Sequence, residues 1–270
     1  MAEIVSASAT ATIAPARVPA RVRWLIAPLL ALVAALTALS FGRYPLSAWE
    51  TMHLLVATTG LASMEPERYA LLYNVIIEIR LPRVLAAILI GAALSVSGAA
   101  YQALFRNPLV SPGILGVLAG ASAGAALGIL LDGNWLLIQT GAFVMGLAAV
   151  GIGVGIAHLF GGGSVIMLIL GGILSGALFA SLLTVVKYVA DPYSQLPTIV
   201  YWLMGSLGHA NVNDTSGAAV PIAAGILLLC LMGRALDALS MGDDEARALG
   251  VPVTTVRLAT IAASTLISAM

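Results

Sequence analysis

The chain has 270 residues, of which 60% are hydrophobic and only 9% are charged, and its formal net charge is zero. A soluble domain carries about 25% charged residues because its surface faces water, so this composition excludes a soluble protein and predicts an all-α, polytopic bundle of transmembrane helices. A single lysine, Lys187, excludes a basic patch for nucleic acid, and a single cysteine, Cys230, excludes an intrachain disulfide framework and a multi-cysteine metal site.

Six apolar stretches approach or exceed the length of about 20 residues that crosses a membrane as a helix. A seventh begins near Val253 and is still running at Met270, so we expect a chain that is incomplete at its C-terminus. Residues 1–23 then form a cytoplasmic tail, and residues 24–270 form the transmembrane domain. The predicted spans are Trp24–Phe41, Val84–Leu104, Leu109–Leu131, Trp135–Phe160, Val165–Val186 and Gly217–Leu236.

Positive charge sets the predicted orientation, because cytoplasmic loops of membrane proteins carry an excess of Lys and Arg. An N-terminus in the cytoplasm places on the inner side Arg17, Arg21, Arg23, Arg106, Arg234, Arg247 and Arg257. It places on the outer side Arg43, Arg68, Arg80, Arg83 and Lys187. The excess is small, so the N-terminal cluster decides the orientation and the outer arginines need another explanation. The same cluster before an apolar stretch is also compatible with a signal peptide.

Small residues recur at helical spacing within the spans. Four glycines lie four residues apart in the third span, namely Gly116, Gly120, Gly124 and Gly128. The pairs Gly151/Gly155 and Gly172/Gly176 repeat that spacing. Glycine faces let helix backbones approach closely in lipid, so we interpret these residues as helix-packing positions without a direct part in transport.

The cores of the second to fifth spans contain no Asp, Glu, Lys or Arg. Ion-coupled carriers usually keep an ionisable group at that depth, so the pattern argues against one. The sequence has no phosphate-binding loop, and ATP would have to be bound by another subunit. Gly120–Gly124 matches G-x-S-x-G, but it lies in an apolar helix and not at a strand–turn–helix elbow. The histidines His53, His158 and His209 lack the spacing of metal ligands.

The first informative motif is R-L-P-R, in which Arg80 and Arg83 flank Pro82. We expect an outer loop to enter the second span here, with Pro82 in the first helical turn and the preceding residue extended. Arginines at the outer rim can form forked hydrogen bonds with carboxylates of a soluble partner. The alternative is that they anchor the helix to lipid headgroups.

Two motifs lie on the predicted inner side. Gln102–Leu109, followed by Ser111–Gly116, predicts a tight turn between two spans because proline and glycine interrupt the helices. Met241–Pro252 predicts a short helix with acidic residues in its first turn and a left-handed cap at Gly250. We expect Ala246 and Leu249 to share one face of it, as in a segment bound by a partner. The alternative is a connector without a partner.

These segments occur in the order found in the FecCD-type permeases of ABC importers, which take up iron–siderophores, heme and vitamin B12, and the chain resembles that family from about Tyr69 onward. The shared motifs are R-L-P-R, G-A-A-L-S-V-S-G at Gly91–Gly98, Q-A-L-F-R-N-P-L, P-G-I-L-G-V, Y-W-L-M-G-S-L at Tyr201–Leu207 and G-D-D-E-A-R-A-L-G. The resemblance implies a complete fold of about ten spans, of which six to seven are present here. The fifth span of such a permease helps line the pathway, which points to Val165–Val186.

The resemblance also implies partners and site residues. Arg80 and Arg83 correspond to arginines that dock a periplasmic or extracellular substrate-binding protein. The coupling helix that an ABC ATPase subunit binds corresponds to Gly242, Asp243, Asp244, Glu245, Ala246, Arg247, Ala248, Leu249 and Gly250. Family permeases pair with a second permease copy as a homodimer in the bacterial inner membrane. The ATPase subunits bind ATP and Mg²⁺, so the chain itself is expected to hold no cofactor, metal or catalytic group.

We therefore expect a permease that moves an iron chelate into the cytoplasm by alternating access. The cargo class stays open between siderophore, heme, cobalamin and molybdate. Three other interpretations remain at this point: an ion-coupled secondary carrier or channel, an intramembrane enzyme, and a packing scaffold.

Overall fold

The computed structural model describes residues 20–42, 44–161, 164–208 and 210–269, and every regular element in these ranges is a helix. The chain divides into two compact units, residues 1–72 and residues 73–270. Most of the predicted tail, together with Arg43 and His209, lies outside the described residues. The first helix already begins at Ala20, ahead of the predicted start at Trp24.

The first unit contains α1 (Ala20–Ser40), α2 (Ala48–Thr58) and most of α3 (Pro66–Tyr73). Helix α2 begins with a capping box, in which the Ser47 hydroxyl accepts from the Glu50 N–H and the Glu50 carboxylate accepts from the Ser47 N–H. Arg68 of α3 donates to the same carboxylate. The hydrogen bond from Ser47, and next the one from Arg68, lower the pKa of Glu50 to about 2.

The second unit begins with a π-helix, Asn74–Arg80, that continues directly into α4 (Leu81–Phe105). The predicted loop before Pro82 is therefore wrong, and Leu81 is helical at φ −58° and ψ −46° instead of extended. A proline inside a helix lacks an N–H and its ring clashes with the carbonyl four residues earlier. The wider π turn, in which the Leu81 N–H donates to the carbonyl of Ile76, accommodates Pro82 without ending the helix.

The described residues of the rest of the second unit form eight α-helices. They are α5 (Val117–Leu130), α6 (Trp135–Gly161), α7 (Val165–Val189), α8 (Gln195–Met204), α9 (Val212–Leu231), α10 (Gly233–Met241), α11 (Asp243–Ala248) and α12 (Val253–Ala269). Among the described residues, four helical stretches are long and apolar enough to cross a membrane: Pro66–Phe105, Trp135–Phe160, Val165–Val189 and Val212–Leu231. These stretches contain three of the predicted spans and most of a fourth, Gly217–Leu236, which was predicted to continue past the end of α9 at Leu231. Three further predicted spans correspond to shorter apolar helices.

The third predicted span starts later than expected. Residues from Leu109 onward form an irregular segment and a 3₁₀ turn, Pro112–Leu115, before α5 begins at Val117. Gly116 separates the turn from α5 with φ +79°, a conformation that disfavours other residues. A helix of 14 residues is about 21 Å long, which is shorter than the hydrocarbon core of about 30 Å.

Helix α5 packs against both α6 and α7, at glycines where the backbones meet. A Cβ at Gly120 would lie 2.7 Å from the Ala149 Cβ, and one at Gly128 would lie 2.9 Å from the Ile138 Cα. Gly124 lies against the backbone of Gly141 in the same interface. Gly116 faces α7 instead, where its Cβ would lie 3.0 Å from the Gly176 nitrogen. The predicted single glycine face therefore divides between two neighbours.

Of the other two predicted glycine pairs, Gly172/Gly176 packs closely, since a Cβ at Gly172 would lie 2.7 Å from the Leu115 Cα and one at Gly176 would lie 3.5 Å from the Gly116 Cα. The pair Gly151/Gly155 differs from the prediction. Nothing lies within 4 Å of a Cβ at Gly151 or Gly155, and the close contact of α6 is made by Gly153 with Gly171 of α7. Spacing alone predicts that glycines share a face, but it does not identify the neighbour that the face contacts. Elsewhere in the second unit, α12 packs mainly against α4 and α9, and Tyr101 of α4 is completely buried.

Candidate functional site

Helix α11 lies between α10 and α12, on the side that the charge pattern assigns to the cytoplasm. It starts after Gly242, whose φ of +154° is a backbone conformation that residues with a side chain rarely adopt. The first turn carries Asp243, Asp244 and Glu245, and negative charge is favourable there because it complements the helix dipole. The predicted short helix is thus present, with its acidic end first.

A left-handed glycine ends α11, as the sequence predicted. Gly250 has φ +78°, and its N–H donates to the carbonyl of Arg247 at 2.9 Å. The N–H of Val251 reaches back to the carbonyl of Ala246, also at 2.9 Å. This pair of hydrogen bonds is the Schellman arrangement, which fixes the end of the helix before Pro252.

One side of α11 is attached to the bundle. Asp243 places one carboxylate oxygen 2.8 Å from the Arg257 guanidinium of α12 and the other 4.0 Å from the Arg106 guanidinium at the end of α4. Ala246 is completely buried on the same helix. The pair with Arg257 holds α11 against α12, and the longer pair with Arg106 directs Asp243 toward the end of α4. Neither distance could be inferred from separation along the chain.

The opposite side of α11 is exposed. The Asp244 side chain is 92% exposed and accepts a hydrogen bond at 2.9 Å from Arg247, one turn later. Leu249 is 65% exposed, although it was expected to share a face with Ala246. The two residues separate because Ala246 lies in the helix, whereas Leu249 is the C-cap where the chain turns away. The exposed side of α11 therefore presents the Asp244 carboxylate, the Arg247 guanidinium and the apolar Leu249 side chain to solvent.

The predicted docking arginines lie in different environments. Arg80 is the last residue of the π-helix and is only 8% exposed. Arg83 is exposed on the first turn of α4, and its guanidinium donates to the carbonyl of Gly208 at 2.8 Å. Gly208 belongs to the connection between α8 and α9. Of the two, Arg83 is the arginine that a soluble partner can reach in this structure, and docking itself stays a prediction.

Helix α4 connects residues that the charge pattern assigned to opposite sides of the membrane. Arg83, next to Gly208, lies at its start, and Arg106, next to Asp243, follows its last residue. The charge pattern assigned Arg83 to the outside and Arg106, with its neighbour Arg257, to the inside. The structure brings together residues of the same assigned side at each end, so the predicted topology is consistent with the contacts.

The enzyme-like patterns do not form a site in the described part of the chain. Ser122 lies inside helix α5, not at a turn. His53 stacks on Trp49 with ring centroids 6.1 Å apart in the first unit, whereas His158 lies near the end of α6 in the second unit. The structure thus brings Ser122 into no arrangement typical of a nucleophile.

An open groove runs between α6 and α7, the helix predicted to line a pathway. Its walls are mainly apolar, with Ile152, Leu174 and Leu178, and two hydroxyl residues, Ser175 and Ser181, lie along it. The Ser175 hydroxyl donates to the carbonyl of Ala149 at 2.6 Å, so it links the two helices. The groove offers a large solute apolar contact and few polar groups.

Comparisons with known proteins agree with one family. Residues 29–270 match the model of the FecCD transport family. The chain is 34% identical over 229 residues to the molybdate import system permease protein MolB of Haemophilus influenzae, covering 85% of this chain and 67% of the relative. It is 38% identical over 193 residues to the hemin transport system permease protein HmuU of Yersinia pestis, covering 69% of this chain and 57% of the relative.

A solved structure supports the same fold. The chain superimposes on an inward-facing conformation of a putative metal-chelate type ABC transporter with a TM-score of 0.75 and 32% sequence identity. The match covers 92% of this chain and 74% of that chain. The chain spans about two thirds or less of the length of the curated relatives named above.

Proposed function

The chain belongs to the FecCD transport family, and from this premise we propose that it is the permease subunit of an ABC importer for a chelated metal. Its helices form a multi-pass bundle of the bacterial inner membrane. The proposed partners are an ATPase subunit, which binds ATP and Mg²⁺, a substrate-binding protein on the outer side, and a second permease copy. The relatives' names include molybdate, hemin and vitamin B12 as cargo; for this chain we propose an iron chelate.

The observation that carries the proposal is the two-sided character of α11. One side is held to α4 and α12 through Asp243, and the other presents Asp244, Arg247 and Leu249 to solvent. A short helix that ends in a Schellman cap and is attached to membrane helices can transmit the movement of a bound partner. We assign this exposed side as the surface that the ATPase subunit binds.

The proposed mechanism is alternating access. A loaded binding protein docks on the outer side, where Arg83 is available for a carboxylate. ATP then closes the ATPase subunits, and their movement reaches the bundle through α11. Helix α4 has 25 residues and is about 37 Å long, so one rigid element extends from the docking end to the coupling end. No bond of the cargo is broken, and the groove along α7 needs few polar groups because the metal arrives already chelated.

The direct test is co-purification of the ATPase subunit with the permease. Leu249→Asp places a charge on the exposed side of α11, and we expect it to reduce ATPase retention by at least about tenfold, since loss of a central anchor of an interface costs about 2 kcal/mol or more. Leu131→Asp is the matched control. Leu131 is 71% exposed, as a leucine at the C-terminal end of α5, and it does not belong to α11. Equal retention by both variants and the unaltered permease would contradict the assigned surface.

Transport itself is tested in proteoliposomes. We expect uptake of an iron chelate only when ATP, the ATPase subunit and the binding protein are all present. Uptake driven by an ion gradient without the ATPase subunit would overturn the proposal. If ATP-driven uptake occurs with molybdate but not with an iron chelate, the permease function stands and the proposed cargo is wrong.

A further inference from the structure

We propose that Asp243, Arg106 and Arg257 form a clamp that transmits movement from α11 to α4 and α12, and that Asp243 is a positioning residue and not a contact for the ATPase subunit. This inference rests on the proposed function of α11 as the coupling helix. It differs from the sequence-based expectation, which placed Asp243 and Asp244 together on the surface that the partner binds.

The geometry separates the two neighbouring carboxylates. Asp244 is 92% exposed, whereas the Asp243 side chain is 30% exposed and lies between two arginines of its own chain. Each oxygen of Asp243 faces a different helix: Oδ2 is 2.8 Å from Arg257 on α12 and Oδ1 is 4.0 Å from Arg106 after α4. A carboxylate with both oxygens directed at internal partners is poorly available to another subunit.

The backbone of Arg106 gives a second, independent indication. Arg106 is in the left-handed conformation, with φ 51° and ψ 35°, directly after the last residue of α4. The N–H of Asn107 donates to the carbonyl of Gln102 at 3.2 Å, so Arg106 occupies the position that glycine usually takes in a Schellman cap. A side chain there is unfavourable by roughly 1 kcal/mol. Such strain is typical of functional positions, and the contact of Arg106 with Asp243 provides a reason for an arginine.

The clamp would join α11, the end of α4 and the start of α12 so that they move together. Arg257 is on the first turns of α12, and its side chain is 13% exposed, so its pair with Asp243 is shielded from solvent. When the ATPase subunit displaces α11, the pair with Arg257 moves α12, and the longer pair with Arg106 moves α4. Without Asp243, α11 would still bind the ATPase subunit but would follow its movement without moving α4.

The sharpest test is Arg106→Gly in the permease assembled with its ATPase subunit. Glycine relieves the backbone strain and removes the charge, so we expect a melting temperature equal to or above that of the unaltered complex. We also expect the ratio of binding-protein-stimulated to basal ATP hydrolysis to fall about tenfold, within the range common for coupling between two sites. Arg106→Lys keeps the charge and should retain most of the stimulation. If Arg106 had only a structural role, stimulation would change in parallel with the melting temperature and would not fall in Arg106→Gly.

Asp243→Asn and Asp244→Asn form a matched pair on adjacent positions of α11. We expect Asp243→Asn to retain the ATPase subunit on co-purification within twofold while stimulation is lost, and the exchange Asp243→Arg with Arg257→Asp to restore part of it. Asp244→Asn should instead weaken retention of the ATPase subunit, because Asp244 is exposed on the side of α11 that is assigned to that subunit. If Asp243→Asn detaches the ATPase subunit, or leaves stimulation intact, the clamp is overturned. If no ATPase subunit binds the unaltered permease, the proposed function fails instead.

Discussion

Gly124→Ala tests the packing of α5 against α6 most directly. The added Cβ would lie 2.5 Å from the carbonyl carbon of Gly141 and 2.8 Å from the Cβ of Met145, and it would overlap the Gly141 carbonyl oxygen. Carbon atoms in favourable contact are about 3.5–4.0 Å apart. The nearest atoms belong to backbone, which cannot rotate away, so the two helices must separate by roughly 1 Å at this point.

The magnitude follows from two opposing effects. Overpacking of a tight interior costs about 1–3 kcal/mol, and replacing glycine by alanine within a helix contributes about 0.5–1 kcal/mol in the other direction. Gly155→Ala, in α6, is the matched control because nothing lies within 4 Å of its Cβ. Both variants share the gain in helix propensity, so the difference between them isolates the steric cost, about 1–3 kcal/mol.

The assay is thermal unfolding of the purified chain in detergent, with the monodisperse fraction measured after heating. A difference of 1 kcal/mol corresponds to roughly 2–4 °C for a unit of this size, so we expect Gly124→Ala to melt several degrees below Gly155→Ala. We expect Gly155→Ala to melt at or slightly above the unaltered chain. Equal melting temperatures for the two variants would refute the close backbone contact of α5 with α6.

Three further predictions concern other parts of the chain. Arg83→Glu should abolish binding-protein-stimulated ATP hydrolysis and spare basal hydrolysis, and equal loss of both activities would contradict a docking role. Arg80→Glu should instead lower the yield of folded protein, because Arg80 is buried. Gly250→Ala has free space but must adopt φ +78°, so we expect it to weaken ATPase retention more than Gly250→Asn, which tolerates that conformation. Glu50→Gln should lower the melting temperature at neutral pH, because the lowered pKa of Glu50 means that its carboxylate stabilises the fold above pH 4.5 and loses that effect as pH falls through about 2. The difference in melting temperature between Glu50→Gln and the unaltered protein should therefore close toward pH 2. A difference that does not change with pH would show that the charge of Glu50 is not responsible.

The sequence predicted the elements that depend on composition and local conformation. Apolar length identified α6 and α7 nearly to the residue, because a helix in lipid must satisfy its own backbone. The cap at Gly250 followed from the glycine and proline after α11. The short helix α2 and the break at Met232 between α9 and α10 were missed, since neither is marked by a long apolar run or by proline.

Composition, span pattern and motif order by themselves determined that this protein is a helical membrane bundle of one transporter family. Each of those properties is written in the local sequence or in its order along the chain. The tertiary structure alone decided that Asp243 faces Arg106 and Arg257 while Asp244 faces solvent, and that Gly153 makes a close contact where Gly151 and Gly155 make none. Helical spacing gives the angle between residues on one helix. The neighbour that each side meets depends on how separate helices pack, and that is set by the whole bundle.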